Sequence, residues 1–177
     1  MARMTIVTDT RGARWRTCRQ STQTTCGPAC CLIMWANVRD RDPEADEGGV
    51  IALSRMFDKP WNAQKGAEIG NLTRVLRQMG LNAVQETITD GGQFRTALHR
   101  RVQPRRPALA FAEWEVASTV VGHFVVIAHA DAALDRFTVL DPAHGLQQPT
   151  GLPFYYPVVD GDDQPALKFT GALAFVT

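Results

Sequence analysis

The residues able to do chemistry crowd together near the start of the chain. QSTQTTCGPACCLIMW, residues 20–35, joins two glutamines and three thiols to an unbroken apolar run. A thiol is a nucleophile only as its thiolate, and a helix N-terminus beside an imidazolium favours that form. Cys26 meets the first condition. Thr24 or Thr25 can serve as N-cap, Pro28 falls in the first turn where a missing N–H costs nothing, and residues 26–38 read as a helix. That helix is apolar nearly all round, so it should be buried, and Gly27 would leave room for a substrate backbone beside the thiol. Taken alone, a thiol in such a run is more often a core residue than a nucleophile, the reading kept for Cys30 and Cys31.

The imidazole has to come from elsewhere. STVVGHFVVIAHADAALDRFTVLDP, residues 118–142, sets two β-branched runs around a polar turn and predicts an antiparallel hairpin. Centring the turn on Ala132 puts Ile127 opposite Phe137, Val125 opposite Val139 and His123 opposite Asp141. Opposed side chains have Cβ atoms about 4.5–5.5 Å apart, so Asp141 could accept from one ring nitrogen while the other serves a thiol. A slip of one residue would turn the two side chains to opposite faces, and the continuous apolar character of both strands leaves the register open. His129 and His144 are the competing imidazoles nearby, but only His123 follows a glycine and faces the aspartate. An oxyanion needs donors: the Cys26 backbone N–H is one, and the side-chain amide of Gln20 or Gln23 qualifies as another.

In chain order, a glutamine six positions before Cys-Gly-Pro-Ala, then a Gly-His-hydrophobic strand and an Asp-Pro, resembles the papain-like cysteine peptidases. The likeness is above all to bacteriocin-processing (double-glycine leader) peptidase domains and to stand-alone bacterial papain-like effector proteases, over roughly residues 18–145. It implies an α+β papain-like fold, a buried N-terminal catalytic helix packed on an antiparallel sheet. Carried over by motif, it assigns the nucleophile to Cys26, the base to His123, its orienting carboxylate to Asp141 and the oxyanion donor to Gln20 rather than Gln23. Thr25 stands where an acidic residue or asparagine often precedes the family cysteine.

The activity so implied is a cysteine endopeptidase acting on a protein or peptide, without metal or cofactor. The same acyl-thioester chemistry would serve a glutamine deamidase or transglutaminase, and a third reading is a non-enzymatic binding module on a peptidase fold. Leader peptidase domains are usually fused to a membrane transporter, which these residues do not contain. A free-standing domain of this size resembles effectors and toxins delivered into another cell, whose producer would need a cognate inhibitor, or immunity protein.

These elements need one domain, and 177 residues supply about one, taken as 1–177. An apolar fraction of 45% and a charged fraction of 21% are those of an ordinary globular chain, and a net charge of +1 gives no field to steer nucleic acid or an anionic membrane. The basic run HRRVQPRR, 99–106, reads as a solvated helix end and loop. Neither a secretory signal nor a membrane-length apolar run is present, so a cytoplasmic protein is expected, with any export through a signal-independent route. The four cysteines lie between positions 18 and 31, a poor disulfide framework and an incomplete zinc set, so free thiols are expected.

Between the two motifs, an edge strand at MTIV, a short helix over 48–57, and a helix in AEIGNLTRVLRQMG ended by Gly80 are expected. LNAVQETI and 107–114 read as strands, with an Asp90-capped helix between them. The substrate subsites are expected in the loops 39–65, 112–120 and 142–165.

Overall fold

The computed structural model describes residues 3–116, 119–152, 154–155 and 166–177. Helix α1, Cys26–Arg39, is buried from Cys26 through Met34 and again at Ala36, as its all-round apolar character requires. Thr25 holds the N-cap position, but its side chain makes no capping bond. Its hydroxyl turns back instead, accepting from the Thr22 N–H at 3.0 Å and donating to the Thr22 carbonyl at 3.1 Å. The first turn of α1 is thus left without a side-chain cap, with its positive end toward the Cys26 thiol.

Gly27 has a different reason from the one expected. A Cβ there would come within 2.7 Å of Leu72 Cδ1 and 3.2 Å of Ala67 Cβ. The missing side chain makes room for the helix that carries Leu72, not for substrate, and an alanine would overpack that contact at a cost of about 1–3 kcal/mol.

α2, Glu47–Ser54, is capped by Asp46, which accepts from Gly49 N–H, and α3, Ile69–Gln78, presents Leu72, Val75 and Leu76 to the core. Both pack on α1. The strands β1, Thr5–Thr8, and β2, Arg14–Thr17, form a separate antiparallel hairpin, so the MTIV strand pairs with an unforeseen partner instead of edging the main sheet. Asn37 of α1 anchors it, accepting from Arg16 N–H at 2.9 Å and donating to the Arg16 carbonyl at 2.7 Å.

The main sheet is antiparallel throughout. Its strands are β3 (Ala83–Thr87), β4 (Ala108–Val116), β5 (Thr119–Asp131), β6 (Arg136–Asp141), β7 (Gly145–Gln147), β8 (Phe154–Tyr155) and β9 (Ala166–Val176). They lie in the order β3-β9-β4-β5-β6-β7, with β8 on β9. β9, which the sequence reading did not assign, joins β3 to β4 and is a central strand. One sheet face, with Leu109, Phe124, Val126 and Leu140, shares a core with α1 and α3. The other, with Ala108, Val125, Ile127 and Val139, packs on Phe94 and Leu98 of α4, Gly91–Arg101. Asp90 caps α4 as expected, accepting from Gln93 N–H at 2.7 Å. Part of the basic run that follows is structural: the Arg101 guanidinium lies 3.7 Å from the Phe175 ring centroid and pairs with Glu86 at 2.7 Å.

The β5–β6 hairpin forms, but in another register. Next to its turn, Asp131 pairs with Arg136, Ala130 with Phe137 and His129 with Thr138. Carried on, that register would set His123 and Asp141 on opposite faces. A bulge between Ile127 and His129 absorbs one residue of β5, after which Ile127 pairs with Val139 and Val126 with Leu140. His123 and Asp141 return to one face as diagonal neighbours, roughly 7–8 Å apart along the backbone and within reach of their side chains. No helix among the described residues is long and apolar enough to cross a membrane.

Candidate active site

Three elements bring the expected residues together. α1 supplies Cys26, 7% exposed, at its uncapped end, β5 supplies His123, and the end of β6 supplies Asp141. His123 Nε2 lies 2.9 Å from Asp141 Oδ1, which leaves Nδ1 for the neighbouring Cys26 thiol, close enough to help raise the imidazole. Burial, the largest single influence, pushes the imidazole down. The Asp141 carboxylate and Cys26 outweigh it, raising His123 from 6.5 to about 9.

The carboxylate is itself held. Asp141 is fully buried and accepts from Ala143 N–H at 2.7 Å and His144 N–H at 3.1 Å, the turn that Asp-Pro begins. Its second oxygen lies 3.3 Å from His144 Nδ1. Just beyond, the Pro142 carbonyl accepts from the backbone N–H of Gln20 at 3.0 Å, so the segment leading into α1 is tied to the end of β6.

Gln20 is partly buried. Its Nε2 donates to the Thr22 carbonyl at 2.8 Å, which fixes the amide plane and leaves a second N–H on the same nitrogen. Its Oε1 is buried without a hydrogen-bond partner. Ser21, next in the chain, binds the Glu47 carboxylate through both its backbone N–H and its hydroxyl, holding this turn against α2. Gln23 lies in the turn as well and lines the cleft beside Cys26.

That cleft has a volume of about 310 Å³ and runs between residues 23–26, the turn at 64–67 and the strands β4 and β5. Asn62 shapes the turn by accepting from the N–H groups of Gln64 and Lys65 at 2.8 and 3.1 Å, and Gly66 adopts φ +77°. Trp61 Nε1 donates to the Thr24 carbonyl at 2.9 Å and locks turn and helix entry together. On the opposite wall a Cβ on Gly122 would meet Phe111 Cζ at 2.9 Å. Of the expected subsite loops, 39–65 contributes Gln64 and Lys65 and 112–120 contributes Val120, while most of 153–165 lies outside the described residues.

The remaining thiols are core residues. Cys30 and Cys31 are fully buried, and burial pushes both well above the ordinary thiol range. Cys18 rises to about 12, through burial first and Glu47 second. All four cysteines are free. Among the described residues, His123, Asp141 and His144 form the one group of metal-ligand types, with ligand atoms within 4.8 Å of one another. Both imidazoles point a ring nitrogen at the same carboxylate, so hydrogen bonds already use the atoms that a metal would need.

A second histidine–aspartate pair lies at the other end of β6. His99 Nε2 is 3.0 Å from Asp135 Oδ1, its ring stacks on Phe137 with centroids 4.9 Å apart, and Arg95 shares the carboxylate at 3.0 Å. The sequence reading passed over it.

No family model matches the chain, and no curated protein matches it. Solved structures do. The peptidase domain of Streptococcus ComA, a bifunctional ABC transporter involved in quorum sensing, superposes with TM-score 0.60 at 12% identity, over 92% of this chain and 98% of that one. A double-glycine-motif protease from an AMS/PCAT transporter, solved with its leader peptide, gives 0.55 at 17% identity, over 99% and 92%. The peptidase domain of Streptococcus mutans ComA gives 0.50 at 12% identity, over 91% and 98%. The fold is that of the papain-like cysteine peptidases, α+β with an antiparallel sheet. More particularly, it is the fold of the peptidase domains of these transporters.

Proposed function

We propose that the protein is a cysteine endopeptidase. The observation that supports this best is the His123–Asp141 hydrogen bond next to Cys26 beside a cleft, with the thiol at an uncapped helix N-terminus. Cys26 sulfur attacks the scissile carbonyl and forms a C–S bond. The oxyanion receives the Cys26 backbone N–H and the second N–H of Gln20 Nε2. His123, protonated beside Asp141, gives its Nδ1 proton to the leaving amine as the C–N bond breaks. It then takes a proton from water, whose oxygen displaces the thiol from the acyl-thioester. Asp141 remains a carboxylate throughout and keeps the ring turned toward the thiol.

The substrate is a protein or peptide bound in extended form. The leader peptide held by the similar AMS/PCAT protease supports this, as does a cleft beside Cys26 bordered by Gly66 and Gly122. Delivery into another cell as an effector, with a cognate inhibitor covering the Cys26 cleft, extends the same reading. Co-purification of a producer-cell protein that shields Cys26 from alkylation checks it.

The test is an N-terminomics comparison of wild type with Cys26→Ala on candidate proteomes. New termini that appear only with the wild type establish the peptidase. A mass gain or cross-link on glutamine without a new terminus would replace it with deamidase or transglutaminase chemistry. Cleavage that survives Cys26→Ala would overturn the assignment of the nucleophile.

A further inference from the structure

Asp141 is shared. Its Oδ1 takes His123 Nε2 at 2.9 Å, while its Oδ2 faces Nδ1 of a second imidazole, His144, at 3.3 Å. We propose that His144 is a positioning residue of the site, acting through Asp141 to hold the carboxylate edge toward His123. The inference rests on the catalytic reading of Cys26 and His123 given above.

Rotation about the Cβ–Cγ bond would carry the Asp141 carboxylate off His123, and it must break bonds at whichever oxygens are held. The backbone donors Ala143 N–H and His144 N–H both converge on Oδ1, the oxygen that also serves His123. They oppose rotation at that oxygen. A donor on Oδ2 opposes it at the other as well, and His144 is placed to be such a donor in its Nδ1–H tautomer.

The ring is braced for the task. Trp114 meets His144 edge-on with centroids 4.3 Å apart and also lies against His123 at 5.6 Å, so one indole packs on both imidazoles. The His144 side chain is 31% exposed, against 5% for His123. The solvent edge of the charged pair is therefore closed partly by His144 itself. Among the described residues, the titratable groups seen facing it are Asp141 and, at a centroid distance of 6.4 Å, His123.

This arrangement has a chemical consequence. The hydrogen bond that His123 donates to Asp141 is the foremost influence raising His123, so a carboxylate held less firmly would stabilise the imidazolium less. With less imidazolium, Cys26 has a weaker partner at neutral and acidic pH. Where the imidazole has lost its proton in any case, the handicap disappears.

The experiment follows the rate of Cys26 alkylation by iodoacetamide across pH in the full chain, comparing wild type, His144→Ala and His144→Asn. Asparagine retains a short amide donor for Oδ2. His144→Ala should react about 10-fold more slowly near pH 6, the worth of one hydrogen bond to a charged group. The gap should close above about pH 10, past the point near 9 where His123 gives up its proton, and His144→Asn should recover most of the loss. Superimposed profiles for wild type and His144→Ala would overturn the proposal. So would a slowing equal at every pH, or an asparagine variant no better than alanine, because those mark access or packing rather than positioning. A wild-type Cys26 that shows no selective reactivity near neutral pH would instead sink the peptidase reading itself.

Discussion

An aspartate stands at either end of β6, Asp141 as its last residue and Asp135 just before its first, and each is bonded to a histidine through Nε2 at nearly the same distance, 2.9 Å for His123–Asp141 and 3.0 Å for His99–Asp135. The bond is the same; the surroundings are not. Asp141 is fully buried and His123 nearly so, whereas Asp135 is 39% exposed and divides its charge between His99 and Arg95. The other nitrogen of His123 is left for Cys26. Nδ1 of His99 is buried without a hydrogen-bond partner. A histidine–aspartate pair is therefore no mark of catalysis in itself. What distinguishes one end of the strand is a thiol at a helix N-terminus, within reach of the free nitrogen and open to a cleft.

The largest effect expected is on Cys26 reactivity. His123→Ala should slow its alkylation near neutral pH by roughly 100- to 1000-fold, in the range set by loss of a general acid–base partner, and His99→Ala should leave the rate unchanged. A comparable loss from His99→Ala would erase the distinction between the two pairs. Next, Asp141→Asn should slow the same reaction by about 10- to 100-fold, the worth of a hydrogen bond between charged groups. Asp135→Asn should change neither rate nor melting temperature beyond the scale of an exposed ion pair, about 1 kcal/mol or less.

The third difference concerns pH and stability. The folded protein holds the His123 proton up to about 9 against an ordinary 6.5, so its charged form favours the folded state. That contribution is fully present below 6.5 and is lost as pH rises through about 9. Melting followed by circular dichroism should show the folded state weakening across this window, and Asp141→Asn should flatten the slope there. The smallest effect is expected from His99→Phe, which keeps a ring over Phe137 and removes a buried nitrogen that has no partner. Its stability should stay within about 1 kcal/mol of wild type, since one lost hydrogen bond and one removed desolvation penalty oppose each other.

What the sequence made legible was local. The apolar all-round run after Cys26 required a buried helix, and Asp90 and the periodic Leu72, Val75 and Leu76 announced theirs. The two β-branched runs required a hairpin, and their polar turn located it to within a few residues. Hidden from it were matters that depend on two distant segments at once. The bulge near Ala128 leaves no trace in a continuous apolar strand, so the direct pairing of His123 with Asp141 was displaced to a diagonal one. Gly27 could be read as substrate space because Leu72 is far away in sequence. β9 escaped because its run, ALKFTGALAFV, is broken by Gly171, where a Cβ would strike the Ile88 carbonyl oxygen at 2.4 Å. The second role near Asp141 could have been suspected from the histidine three residues later, but only coordinates show that its ring turns back to the carboxylate.

The bulge also divides the hairpin into two zones with different tolerance to changes in length. On its turn side, residues can be gained or lost between Asp131 and Arg136 while the paired strands beyond keep their faces. On the other side there is no such latitude. Excising the bulged residue Ala128 would leave a regular ladder with His123 and Asp141 still on one face, but a residue gained or lost between His123 and Ile127, with the bulge in place, would turn His123 to the face opposite Asp141. An alignment of related chains should therefore show indels gathered in the loop or at the bulge and none between positions 123 and 127, a spacing rule written by geometry rather than by any one side chain.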